Sequence, residues 1–301
     1  GEETKIVKRY TEDTEAWRLY SQGRYHWNKR TEDGFNRAIR YFKLAIEEDP
    51  SYALAHAGLA DCYILLGDYG YSEPNKAFPN AKEHAEKALD IDITLAEAHA
   101  SLGYISTIYE WKWERAEGEF NQAININPNY ATAHQWYAVF LFTMERFDES
   151  VDKMRRAQEL DPRSMMINTT VGWPYYFGHR YDDAAKAFRN ALLIDDEFWY
   201  SHWSLGVYYY QKGMYERALD EYRKAKVSYE GRQQQIETYI GITYARMGRG
   251  EEAQQVLDKL LERSKQEYVR PRFFADLYFA LEDSDKGFDW LERARIGHDS
   301  W

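Results

Sequence analysis

The stretch INPNYATAHQWYAV, residues 125 to 138, reads as the seam between two copies of one unit. Pro128 lies just past one helical pattern, where a missing amide donor is harmless and helix continuation is blocked. A second helix then opens on the small residues Ala131 and Ala133. A large indole, Trp136, stands between Ala133 and Ala138, where a tightly stacked helix calls for small side chains.

Outward from this seam the unit repeats. Ala38, Ala81, Ala116, Ser150, Ala184, Ala218, Ala253 and Gly287 are separated by 43, 35, 34, 34, 34, 35 and 34 residues. Seven positions on, Ala45, Ala88, Ala123, Ala157, Ala191, Ala225, Leu260 and Ala294 keep the same intervals, mostly with a larger residue between, as at Phe42, Phe120, Phe188 and Tyr222. A third register, Ala60, Gly103, Ala138, Gly172, Gly206, Gly241 and Ala275, runs in phase in the preceding helix of each copy. The pattern predicts an all-α chain of about eight helix–turn–helix copies. Small residues at each crossing let two backbones approach, and a ring fills the space beside them. A lone hairpin cannot hide its apolar face, so the copies stack into one continuous core and length counts copies instead of domains.

The 34-residue period with these positions resembles the tetratricopeptide repeat over about residues 14 to 297. That resemblance implies a right-handed superhelical solenoid, with residues 1–13 as an N-terminal extension and 14–301 as one domain. More narrowly, the segments around Tyr10 to Tyr63 and Leu281 to Arg295 resemble the carboxy-terminal repeat regions of multidomain bacterial regulators, where such a region follows a winged-helix domain, a kinase or a nucleotide cyclase. The starting Gly1 and the pattern running out at Trp301 suggest a fragment truncated at its C-terminus.

Two departures from the period mark candidate sites. The second copy carries extra residues at 68–80, DYGYSEPNKAFPN, read either as a tolerated insertion or as a functional lip. Pro174 falls inside a first helix, where it should free one backbone carbonyl and bend the helix.

Composition narrows the function classes. A net charge of −11 repels phosphate backbones and anionic lipid, so no nucleic acid is expected to bind this segment. No apolar run approaches the roughly 20 residues of a membrane span, and no secretory leader is visible, which points to a soluble chain, cytoplasmic before extracytoplasmic. The single cysteine, Cys62, excludes an internal disulfide and a four-cysteine zinc site. His56, His99, His134 and His202 recur in register, but no second ligand follows three or four residues on, so the expected role is packing and no metal is expected. The acidic pairs Asp195-Asp196 and Glu47-Glu48 read as solvated turn or outer-face charge. The glycosylation-like Asn168-Thr169-Thr170 falls within a packed helix and is discounted. No phosphate loop, dinucleotide glycine motif or nucleophile elbow is present, so the reading is of no enzyme and no cofactor.

In the tetratricopeptide fold the first helices line a concave groove. The resemblance places Tyr104, Trp136, Phe142, Trp173, Tyr176, Phe177, Tyr200, Trp203 and Tyr210 on that wall. Aromatics there would offer large contact area at little rotamer cost to a protein or peptide partner. The basic clamp that grips acidic carboxy-terminal tails is missing, since the corresponding positions hold Leu54, Ala57, Asp61, Glu97, Ala100, Ser101 and Tyr104. The expected function is therefore a partner-binding scaffold of a regulator, with Trp136→Ala and Trp203→Ala expected to weaken binding while leaving melting nearly unchanged. Two rivals remain: a small-molecule sensor, favoured by a closed pocket of roughly 300 to 1,000 Å³ over an open trough, and a homo-oligomer formed through the C-terminal end.

Overall fold

The computed structural model describes residues 11–229 and 231–299, and every regular element among them is helical. The helices pair into eight hairpins: α1 (Thr14–Trp27) with α2 (Glu32–Glu48), α3 (Ala53–Asp68) with α4 (Pro74–Ile91), α5 (Ala96–Ile108) with α6 (Trp113–Ile126), and α7 (Ala131–Thr143) with α8 (Phe147–Leu160). The second half continues with α9 (Met165–Thr170) and α10 (Gly172–Phe177) packed on α11 (Tyr181–Leu192), then α12 (Trp199–Gln211) with α13 (Tyr215–Ser228), α14 (Gln234–Arg246) with α15 (Gly250–Arg263), and α16 (Pro271–Ala280) with α17 (Ser284–Ile296). Each first helix packs on its own partner and on the first helix of the next copy, as a solenoid requires.

The three sequence registers meet at the crossings. Phe42, Phe120, Phe188 and Tyr222 are fully buried, each lying against a first-helix glycine. A Cβ on Gly103 would sit 2.9 Å from the Phe120 ring, and on Gly172 only 2.1 Å from that of Phe188. Glycine is what lets ring and helix backbone close to contact. Every hairpin turns through one residue with left-handed backbone: Arg30, Gly70, Trp111, Glu145, His179, Gly213, Gly248 and Glu282.

Pro174 acts one turn upstream of itself. The helix breaks at Val171, between α9 and α10, because a proline cannot bond the carbonyl four residues back and its ring crowds that turn. The insertion at 68–80 is no loose loop. Its second half, from Pro74, extends α4 at the N-terminus, and its first half forms a connector whose Tyr71 is buried.

That connector reaches across the superhelix to the last copies. The Tyr71 and Tyr229 hydroxyls are hydrogen-bonded to each other, and Arg270 donates to the Asp68 carbonyl at 3.0 Å. On either side of it, Arg232 grips Glu32 of α2, and His298 Nδ1 donates to the Tyr109 carbonyl at 2.9 Å while its ring stacks on Trp111. Side chains, and not helix-on-helix packing, make this closure. The concave side is thereby walled at both ends of the chain.

Candidate functional site

The inner face is built by α5, α7, α10 and α12. Position six of α7 places Trp136 beside the crossing of Ala133 and Ala138, where it turns inward and stacks on Tyr104 of α5 at 4.7 Å between ring centroids. The break before α10 presents Trp173 to Trp203 of α12 at 5.3 Å, and Trp203 lies nearly parallel to Tyr200 at 5.5 Å. Phe142 stacks on Phe177 at 5.2 Å, and Tyr176 meets Trp173 edge-on. Tyr210, at the last turn of α12, accepts from Arg246. All nine aromatics expected on the concave wall line one cavity of about 490 Å³.

The expectation of rings exposed along an open trough needs correction. Trp136, Trp173 and Trp203 are 4%, 7% and 5% exposed, each packed against neighbouring rings: Trp136 on Tyr104, Trp173 on Phe188 and Trp203, and Trp203 on Tyr200 and Tyr239. Of the nine, only Phe177 is well exposed. The opposite wall, which sequence reading missed, comes from Arg30, Asp68 and Tyr69 near the N-terminus and from Tyr229, Arg232, Tyr239, Arg270 and Arg272 near the C-terminus. Tyr239 and Arg272 carried a readable signal: they occupy positions six and five of their copies in the inward register, and Tyr239 meets Trp203 edge-on at 5.2 Å.

The wall is rich in positive charge and hydrogen-bond donors. Arg30, Arg232, Arg270 and Arg272 face it, against the single carboxylate of Asp68. Arg232 makes two hydrogen bonds to Glu32, at 2.8 and 3.0 Å, and Arg270 pairs with the buried Asp299. Burial raises the Asp68 pKa although Arg270 and the Tyr104 hydroxyl oppose the shift, and burial lifts Tyr69 to about 12. Three buried polar atoms of lining residues are short of acceptors: Trp203 Nε1 and Arg272 Nη1 have no hydrogen-bond partner, and Trp173 Nε1 has only the Tyr200 hydroxyl beside it. All three are donors.

The recurrent histidines do a different job. His99 and His202 bridge the carboxylates of Glu119 and Glu221, at 2.7 and 2.6 Å, to the turn carbonyls of Ile93 and Asp196, at 3.1 and 2.8 Å. His134 reaches the Pro128 carbonyl, and Asn168 donates to that of Pro162 from the same register position. Each therefore ties a first helix to the turn before it. His56 pairs with His84 instead, with their Nδ1 atoms 3.4 Å apart. Among the described residues no cluster of three or more histidine, cysteine, aspartate or glutamate side chains could hold a metal. Burial pushes the Cys62 thiol well up, which leaves it unreactive.

Tetratricopeptide repeat family models match residues 173–232 and 32–70. The chain is a tetratricopeptide repeat protein. This repeat protein is 27% identical over 170 residues to the transcriptional regulator HilA of Salmonella typhimurium, a match covering 56% of the chain and 30% of HilA. Among solved structures it is similar to yeast Tom70, with a TM-score of 0.60 at 18% identity, covering 95% of this chain and 61% of that one. It is also similar to the Cut9–Hcn1 hetero-tetramer of the APC/C, with a TM-score of 0.64 at 14% identity and coverages of 92% and 55%. The tetratricopeptide fold is typically a non-catalytic scaffold for binding proteins or peptides. No helix among the described residues is long and apolar enough to cross a membrane.

Proposed function

We propose that the chain is the sensing module of a larger cytoplasmic bacterial regulator, non-catalytic itself, which takes a compact ring-bearing ligand into the aromatic cavity. The observation carrying this reading is the convergence of nine aromatics from four copies on one cavity of about 490 Å³, whose other wall is supplied by residues of the first and last copies. That volume lies within the roughly 300–1,000 Å³ of small-molecule sites. A ligand inside would touch both walls and so bear directly on closure of the solenoid, a shape that a partner or an attached effector domain can read. The similarity to a transcriptional regulator supports the larger assignment.

A peptide reading keeps support from the usual role of the fold, with the same nine residues as its groove. The two separate in one experiment, melting the chain with a set of small aromatic compounds and, in parallel, with extended apolar or basic peptides. Ligands that bind the folded state raise the melting temperature in proportion to occupancy. Small compounds alone should raise it and quench the buried indoles. A rise with peptides alone would assign the channel to a partner segment, and silence from both would remove the cavity as a binding site. Self-association through the last copy is a separate proposal, supported by the exposed Phe288, Leu291 and Ile296 of α17; mass measured by light scattering at several concentrations would test it.

A further inference from the structure

We infer that the occupant of the cavity is an aromatic acid, its ring system lying among Trp173, Trp203 and Tyr200 and its carboxylate received by Arg30. This rests on the reading of the cavity as a ligand site and adds the ligand's charge and chemical class to it.

The four lining arginines are not alike. Arg232 is satisfied by Glu32, and Arg270 by Asp299 and the Asp68 carbonyl. The Arg272 Nε lies 3.4 Å from Asp276, which leaves Nη1 buried without a partner. Arg30 has no carboxylate within ion-pair distance among the described residues. Its guanidinium lies over the Trp27 ring, 3.6 Å from the centroid, and its hydrogen-bonding neighbour is the neutral phenol of Tyr69. The carboxylates that act on it lie beyond ion-pair distance and are engaged elsewhere, Asp61 by Arg24 at 2.8 Å and Asp68 by the Tyr104 hydroxyl at 3.2 Å. A half-buried guanidinium without a direct ion pair is costly, and burial pulls its proton affinity down in spite of the Tyr69 oxygen and the Asp61 charge. A ligand anion at this point removes that cost.

The other spare groups point the same way. The buried polar atoms of the lining left without a partner are the Trp203 N–H and the guanidinium nitrogen of Arg272, and the Trp173 N–H has only the Tyr200 hydroxyl beside it; all are donors. A ligand that completes them must bring acceptors. Flat rings suit the rest of the wall, where Tyr200 and Trp203 lie within 10° of parallel and Trp173 closes the side. An amine would meet four guanidiniums against the one carboxylate of Asp68.

The test compares 2-naphthoate, its neutral amide and the cationic 2-naphthylmethylamine by calorimetric titration of the full chain and of Arg30→Met. Naphthoate should bind about tenfold or more tighter than the amide, the amine should bind least, and Arg30→Met should bring acid and amide to parity while leaving the amide unchanged within about twofold. Should Arg30→Met fail to fold by circular dichroism, Arg30→Lys serves, with an acid preference falling between parity and that of the parent. An amide or amine bound as tightly as the acid, or an acid preference surviving Arg30→Met, overturns the acid assignment and leaves the cavity reading standing. Failure of all three compounds to bind at millimolar concentration overturns the cavity reading together with this inference.

Discussion

Arg232 makes a two-pronged pair with Glu32, a residue 200 positions earlier in the chain, with Nε at 3.0 Å and Nη2 at 2.8 Å from the two carboxylate oxygens. The pair belongs to the seam that turns an open superhelix into a closed one, together with the Tyr71–Tyr229 hydroxyl contact and the Arg270 bonds.

Opening that seam should change shape more than secondary structure. Arg232→Ala removes a partly exposed pair and should cost about 1 kcal/mol. Arg270→Ala leaves the buried Asp299 carboxylate with the Arg272 backbone N–H but no counter-charge, and should cost about 3 kcal/mol. Both variants should show a larger radius of gyration in small-angle X-ray scattering, with helical content unchanged. A radius equal to the parent's in both would mean that closure does not depend on the seam.

The bridging histidines should give the protein a pH-dependent margin. Burial lowers the pKa of His99, but its hydrogen bonds to Glu119 and to the Ile93 carbonyl, with the Glu119 charge, outweigh that and raise it; the same balance, with Glu221 and Asp196, raises His202. A folded pKa above the unfolded value of about 6.5 means stability fully present below that pH and lost as pH rises through the folded pKa. His99→Asn keeps a donor for the turn carbonyl and removes the charge. The stability gap between parent and variant should be about 1–3 kcal/mol near pH 5.5 and should shrink as pH rises. A gap that grows with pH would contradict the assigned protonation. His56 runs the opposite way: burial, then the charges of His84 and Lys87, push it down to about 4, so its contribution is lost as pH falls from about 6.5 towards 4.

One turn residue invites a stabilising change. Glu145 has φ of 60°, in the left-handed region, at the position where the second, sixth and seventh copies carry Gly70, Gly213 and Gly248. An L side chain there costs about 1–2 kcal/mol, offset in part by the greater freedom of glycine in the unfolded chain. Glu145→Gly should therefore raise stability by about 0.5–1 kcal/mol, read as a shifted denaturant midpoint with an unchanged slope. A loss of stability would show that the Glu145 side chain contributes more than its backbone strain costs.

The hairpins and the inward aromatics were legible because each depends on a register within one copy. Gly103 against Phe120 and Trp136 beside Ala138 follow from spacing along a helix and from helix crossings. The opposite wall was not. Whether Tyr71 meets Tyr229 depends on the rotation accumulated over five hairpins, a sum of small angles that no local spacing encodes. The same holds for Arg30, which reads in sequence as an ordinary charged turn residue and becomes part of a cavity wall only when the end copies come round. The insertion could be located but not aimed: Pro74 marks where α4 begins, while the destination of Tyr71 lies far along the chain.

Closure also revises what an indole substitution measures. Were the groove open, Trp203→Ala would weaken binding with melting almost untouched. Trp203 is instead packed against Trp173, Tyr200 and Tyr239, so truncation should cost about 3–5 kcal/mol in transfer and cavity terms and lower the melting temperature by several degrees. Loss of binding in that variant would then mix occupancy with folding. Trp203→Phe keeps a ring and removes the buried, unpartnered N–H, so it should cost little stability, about 1 kcal/mol or less, and change ligand affinity by whatever that donor supplies. An unchanged melting temperature in Trp203→Ala would return the indole to solvent and restore the open trough. A depressed one, with Trp203→Phe near the parent, is the outcome that a closed solenoid requires.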